Sequence, residues 1–151
     1  MSGRRAKKKV TALSDFKLIG IDTDIFIYYL EENPEFGIAS KKIIDSLNSG
    51  NLRGVTSILA VSEIISKKGL SKSVAKDLEA TFFEIPNLTI LEVSLKVAVE
   101  AGRIRREYSL RLPDAIQLAT ALQFKAQAFV TNDEKLKIFD ELEIILLQKS
   151  H

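Results

Sequence analysis

No cysteine occurs among these 151 residues, and the single histidine is the last residue, His151. Thiol nucleophiles, Ser-His triads and Cys/His zinc clusters are therefore excluded as sources of chemistry. The lack of cysteine also removes disulfides, which suits a cytoplasmic chain without requiring one. Long apolar runs are missing too: the longest charge-free stretch, residues 115–124, has ten residues, where a membrane-spanning helix needs about 20 apolar ones. Residues 10–13 are too short for the apolar region of a secretory signal, so neither membrane insertion nor export is expected.

What is present is ordinary for a globular protein: 46% apolar and 28% charged residues, with no low-complexity tract and no evident repeat. One domain is expected over residues 16–151, preceded by a basic, flexible tail at residues 1–15. Arg4, Arg5, Lys7, Lys8 and Lys9 lie in that tail; their five charges exceed the net +2 and leave residues 10–151 at −3. Such an arm can touch phosphates, although a short basic N-terminus is commonly just solvated.

The pattern along the chain alternates. Strands are expected at residues 18–22, 53–55, 88–91, 128–131 and 143–147. Helices are expected at 24–32, 39–47, 57–67, 72–83, 95–108 and 113–124, with a short one at 134–138 and Thr56 or Ser57 capping the third. Strict alternation implies an α/β three-layer sandwich, a mostly parallel central sheet flanked by helices. Ligands of such sheets bind at the carboxyl ends of the strands.

Five acids stand out in their surroundings. Asp22 and Asp24 are the only charges between Lys17 and Glu31, Glu63 is alone in TSILAVSEIIS, Asp114 is alone in LPDAIQLATALQF, and Asp133 follows the fourth strand in FVTND. An ionised carboxylate in an apolar interior is costly unless paired or bound to a cation. No basic residue lies inside these segments, and oxygen-rich sites favour hard ions, Mg²⁺ or Mn²⁺. Each acid also has a plain reading. Asp22-Thr23-Asp24 can cap a helix, Asp114 can complement a helix dipole, Glu63 can sit on a mixed surface, and Asp133 can close a turn. Asp22 and Asp133 follow strands, Asp114 opens the helix that leads into the fourth strand and Glu63 rides the helix after the second, so at least three of these four are expected to meet at the carboxyl edge, with Thr131 and Asn132 adding neutral oxygens.

Strand-DT-x-helix at Asp22–Asp24, the apolar helix with Glu63, LPDAIQLATAL at Asp114 and FVTNDEKL at Thr131–Asp133 occur in an order and spacing that resembles the PIN-domain ribonucleases, including VapC-like toxins of toxin-antitoxin pairs. The likeness spans residues 18–147. It implies a PIN-like fold and a metal-dependent endoribonuclease in which Asp22, Glu63, Asp114 and Asp133 hold one or two Mg²⁺ or Mn²⁺ ions, supported by Thr23, Thr131 and Asn132. Asp24 departs from the family, which often has Asn or Ser there, so its role stays open. Relatives further imply an RNA substrate, an antitoxin partner covering the cleft and a homodimer.

Arg103, Arg105, Arg106 and Arg111 precede Asp114, and Lys67 and Lys68 follow Glu63; Arg111, Arg106 and Lys67 are the candidates for RNA phosphate contact. A solvated helix face explains any one of them equally well. Two rival functions remain. A PIN-like RNA-binding or scaffold protein would lack catalysis. An aspartyl-nucleophile phosphatase would use the D-x-D of Asp22 and Asp24, but that motif wants Thr or Val where Phe26 stands.

Overall fold

The computed structural model describes residues 13–149; the basic run at residues 4–9 and His151 lie outside them. The five strands are β1 (Leu18–Ile21), β2 (Arg53–Ser57), β3 (Leu88–Leu91), β4 (Ala128–Thr131) and β5 (Glu143–Leu146). Six α-helices join them: α1 (Thr23–Leu30), α2 (Gly37–Asn48), α3 (Leu59–Ile65), α4 (Lys72–Phe83), α5 (Leu95–Tyr108) and α6 (Leu112–Gln123). The sheet is parallel throughout, in the order β3-β2-β1-β4-β5.

Alternation along the strands sends neighbouring side chains into two cores. Leu18, Val55 and Phe129 pack with Val97, Ala101 and Ile104 of α5 and with Ala115, Leu118 and Ala119 of α6. Ile19, Ile21, Ala128 and Val130 face the opposite way, against Ile25 and Phe26 of α1, Ile43, Ile44 and Leu47 of α2, Ile64 of α3 and Phe82 of α4. These are the expected three layers. The close seating of α6 depends on Gly20: a Cβ there would meet Ala121 Cβ and Phe129 Cδ1 at 2.7 Å. Any side chain at Gly20 would push away the helix that carries Asp114.

The boundaries differ from expectation where polar side chains extend or turn the chain. β2 reaches Ser57, because Thr56 and Ser57 pair with Ile90 and Leu91 of β3. Neither is therefore the residue at the helix cap; that place falls to Ile58, which offers no side-chain cap, while the Ser57 hydroxyl still accepts the Leu59 N–H at 3.2 Å. α3 is correspondingly shorter than the expected 57–67. α2 starts two residues early, after Asn33 Oδ1 accepts the N–H groups of Glu35 and Phe36 at 2.9 Å. Residues 134–138 form a 3₁₀ turn. Among the described residues, no helix is long and apolar enough to cross a membrane.

Candidate functional site

β1 leads to β2 on one side and its neighbour β4 leads to β5 on the other, so the connections leaving the carboxyl ends of this pair diverge and open a crevice. Asp22 sits at that opening. It is the N-cap of α1, where Oδ1 accepts the Thr23 N–H at 2.9 Å and Oδ2 accepts the Thr131 hydroxyl at 2.6 Å. Capping and clustering, alternatives in the sequence, thus occur in the same residue. The Thr131 oxygen also accepts the Asp133 N–H at 3.0 Å, and Asp133 Oδ1 accepts the Lys135 N–H at 3.0 Å, which caps the 3₁₀ turn.

Asp24, one position into α1, accepts the Asn132 N–H through Oδ2 at 3.1 Å, while its Oδ1 is buried with no hydrogen-bond partner. Asn132 also donates through Nδ2 to the Tyr28 hydroxyl at 2.8 Å. Asp114 is buried in the first turn of α6, a turn opened by Pro113, and meets Arg111 Nε at 3.3 Å. Glu63 lies on the exposed side of α3 and is tied to the others by one contact, from the Thr23 hydroxyl to Oε1 at 2.8 Å.

The acids feel one another. Burial, and then the charge of Asp24, pushes the Asp22 carboxyl up to about 7, with Asp114 adding a smaller push against the hydrogen bonds from Thr131 and Thr23. Burial likewise pushes Asp24 up to about 6, and the charges of Asp133 and Asp114 act in the same direction. Asp114 is raised by burial and held back by Arg111. Asp22, Asp24, Asp114 and Asp133 therefore share one electrostatic environment at the crevice. Among the described residues, however, no three acidic or histidine side chains are gathered into a ready-made ligand set.

The donor chemistry nonetheless fits a hard divalent cation. All donors are oxygens, one buried carboxylate oxygen is orphaned, and the carboxylates raise one another's proton affinity, as anions do when a positive charge is wanting.

The basic candidates divide. Arg111, 78% exposed at its side chain, reaches the cluster through Asp114. Lys67 lies beyond the end of α3 and pairs with Glu31 at 3.0 Å. Arg106 is exposed on α5, and Arg103 is drawn into ion pairs with Glu100, Glu107 and Glu141. Gln117 was missed by the sequence reading. It is buried on α6, accepts the Ser57 N–H through Oε1 at 3.1 Å and donates through Nε2 to Thr23 Oγ1 at 3.2 Å. The available signal was an amide flanked by the apolar residues Ala115, Ile116, Leu118 and Ala119 in a helix expected to pack on the sheet, since buried polar side chains are there to make hydrogen bonds.

A search of curated protein sequences finds no match. Solved structures do match in fold. A chain of the VapBC2 complex of Rickettsia felis bound to a promoter DNA fragment is similar at TM-score 0.69, with 20% identity, covering 87% of this chain and 99% of that one. The Mycobacterium tuberculosis toxin VapC20, which cleaves the sarcin-ricin loop, is similar at TM-score 0.67, with 13% identity and coverage of 84% and 98%. A chain of DNA-bound VapBC from Salmonella typhimurium gives 0.64, with 20% identity and coverage of 87% and 98%. A family model, the PIN domain, matches residues 19–142. With the acids in place at the carboxyl edge of a parallel five-stranded sheet and the family model spanning most of the chain, this protein belongs to the PIN domain family.

Proposed function

We propose that this chain is a metal-dependent endoribonuclease and the toxin of a toxin-antitoxin pair. The observation that carries the reading is that Asp22, Asp24, Asp114 and Asp133, from three separate parts of the chain, act on one another's charge at the carboxyl edge of the sheet, with Asp22 and Asp24 buried and Arg111 partly compensating Asp114. Asp22 and Asp114 would hold Mg²⁺ or Mn²⁺, with Asp133, Glu63 and Asp24 completing the acidic surroundings. A bound ion supplies charge neutralisation at the phosphodiester and lowers the pKa of water.

The chain's own groups fix the rest. Thr131 and the Thr23 N–H hold the Asp22 carboxylate in one orientation, so its two oxygens need no rearrangement when a cation arrives. The exposed Arg111 guanidinium has donors left over beside Asp114 for an RNA phosphate, and the exposed Arg106 of α5 is a second candidate. The same engagement of Asp22 gives less support to an aspartyl-phosphatase, whose nucleophile needs a free oxygen aimed at phosphorus.

Two of the similar structures are VapBC complexes, which supports an antitoxin segment covering this cleft. Exposed Leu95 and Val99 on α5 and Leu112 at the start of α6 support a homodimer. A cytoplasmic location follows from a partner and a substrate that are both intracellular. The deciding measurement is cleavage of single-stranded and structured RNA with Mn²⁺, Mg²⁺ or EDTA. Cleavage that needs the ion is expected, and full activity in EDTA would refute the reading. A catalytically silent RNA-binding scaffold is the second reading. RNA binding without cleavage over a broad substrate panel would establish it.

A further inference from the structure

We infer that Gln117 is a positioning residue that orients Glu63 through Thr23, an inference that rests on the nuclease reading above for its consequence but not for its geometry. The direction of each hydrogen bond from Ser57 to Glu63 can be assigned, and the Thr56 hydroxyl, 3.2 Å from Gln117 Oε1, lies on the accepting side of the amide. The Ser57 main-chain N–H can only donate, and it does so to Gln117 Oε1 at 3.1 Å. That fixes the amide with its oxygen toward β2 and its nitrogen toward Thr23. Nε2 can only donate, so Thr23 Oγ1 accepts at 3.2 Å and its single proton is left for Glu63 Oε1 at 2.8 Å. Polarity set by the backbone of β2 is thereby delivered to a carboxylate on α3.

The relay matters because Glu63 has little else to hold it. It stands on a seven-residue helix, exposed, with a long side chain. Thr23 is 3% exposed and Gln117 2%, so the two side chains that lead to Glu63 are fixed by packing. Thr23 adjoins Asp22, and Gln117 follows Asp114 by one helical turn on the same side of α6. A single helix therefore supplies one acid directly and orients a second at a distance.

The test compares Gln117→Met, similar in size but unable to hydrogen bond in this way, with Thr23→Val, which breaks the same relay without touching α6. Kinetics on RNA, Mn²⁺ affinity by calorimetry and thermal unfolding are measured for each and for the double variant. Each single variant is expected to lose about 10- to 100-fold in kcat and in Mn²⁺ affinity, as loss of groups that orient metal ligands does, with KM for RNA little changed. The double variant should lose no more than the worse single one, and Gln117→Met should add nothing in a Glu63→Ala background. A residue that merely supports the fold would instead lower thermal stability and leave kcat and Mn²⁺ affinity of the folded protein unaltered. Folded Gln117→Met protein with unaltered kcat and Mn²⁺ affinity, or additive losses with Thr23→Val, would overturn the assignment. If the wild type neither cleaves RNA nor binds Mn²⁺, the nuclease reading fails. The relay is then decided by unfolding alone, where coupled losses support it and additive ones reject it.

Discussion

Two acidic clusters in this molecule are built from the same residue types and behave in opposite ways. Near the end of α5, Glu100, Glu107 and Glu141 converge on Arg103, and Tyr108 donates toward Asp140 and Glu141 at 2.6 and 2.7 Å. There the Arg103 hydrogen bonds hold the Glu141 carboxyl below its ordinary range. At the crevice, Asp22 and Asp24 are buried beside each other and are pushed up instead. The difference lies in compensation. An acid given a guanidinium and water contributes to the fold, whereas acids buried together oppose it and, under the proposed function, would be relieved by a bound cation.

The largest effect should follow from breaking the crevice. Asp22→Asn or Asp114→Asn is expected to reduce RNA cleavage by at least about 10²-fold, the scale of losing one preorganised electrostatic group, while the purified variants stay folded by circular dichroism. Asp22→Asn should also raise the thermal midpoint of metal-free protein at neutral pH, because it deletes the charge but keeps the shape and can still meet Thr131. An active-site change that stabilises is the signature of stored electrostatic strain. Unchanged cleavage in both variants would show that the crevice has no role in chemistry.

Cation binding should sharpen the contrast. Saturating Mn²⁺ at about 100 times its Kd is expected to stabilise the protein by about 2.7 kcal/mol, through binding to the folded state alone. The gain should shrink in Asp22→Asn and persist in Arg103→Ala. A scan of midpoint against Mn²⁺ concentration in the three proteins measures it.

The pH dependence has a definite sign. Asp22 moves from an ordinary 3.8 in the open chain to about 7 in the fold. Between those values the folded protein keeps a proton that the unfolded chain has lost, so stability falls as pH rises and levels off above about 7. Metal-free protein is thus expected to be more stable at pH 5 than at pH 8, by on the order of 1–3 kcal/mol. Chemical denaturation in EDTA at the two pH values reads this directly. The slope should flatten in Asp22→Asn and reverse with Mn²⁺, which binds the ionised carboxylates that dominate at the higher pH.

Much of this arrangement was legible in the sequence because it rests on period and isolation. Alternating apolar runs foretold the parallel sheet, and single acids in uncharged segments marked Asp22, Asp24 and Asp114 before any contact was known. Less legible were features decided across the chain. That β2 would extend through Thr56 and Ser57 depends on pairing with β3 and on Gln117, some 60 positions away, and no local signal separates such a strand from a helix cap. Arg103 and Lys67 looked alike as phosphate-seeking cations, but only the fold shows that Glu141 and Glu31 reach them. Charge patterning along one helix cannot report a partner on another element.

The smallest effect should come from the outer cluster. Arg103→Ala removes a guanidinium that is 29% exposed and shared among three glutamates, with Glu141 at 2.8 Å linking α5 to the turn before β5. Exposed ion pairs contribute little, because water already solvates both partners and salt screens them. The loss expected is about 1 kcal/mol or less and smaller still in high salt, with RNA cleavage unaffected, since the ion pairs of Arg103 are with Glu100, Glu107 and Glu141 and not with the acids of the crevice. Denaturant midpoints at low and high ionic strength measure the first point, and initial cleavage rates the second. If Arg103→Ala cost as much activity as Asp22→Asn, the two clusters would be one functional unit, and compensation would not be what separates them.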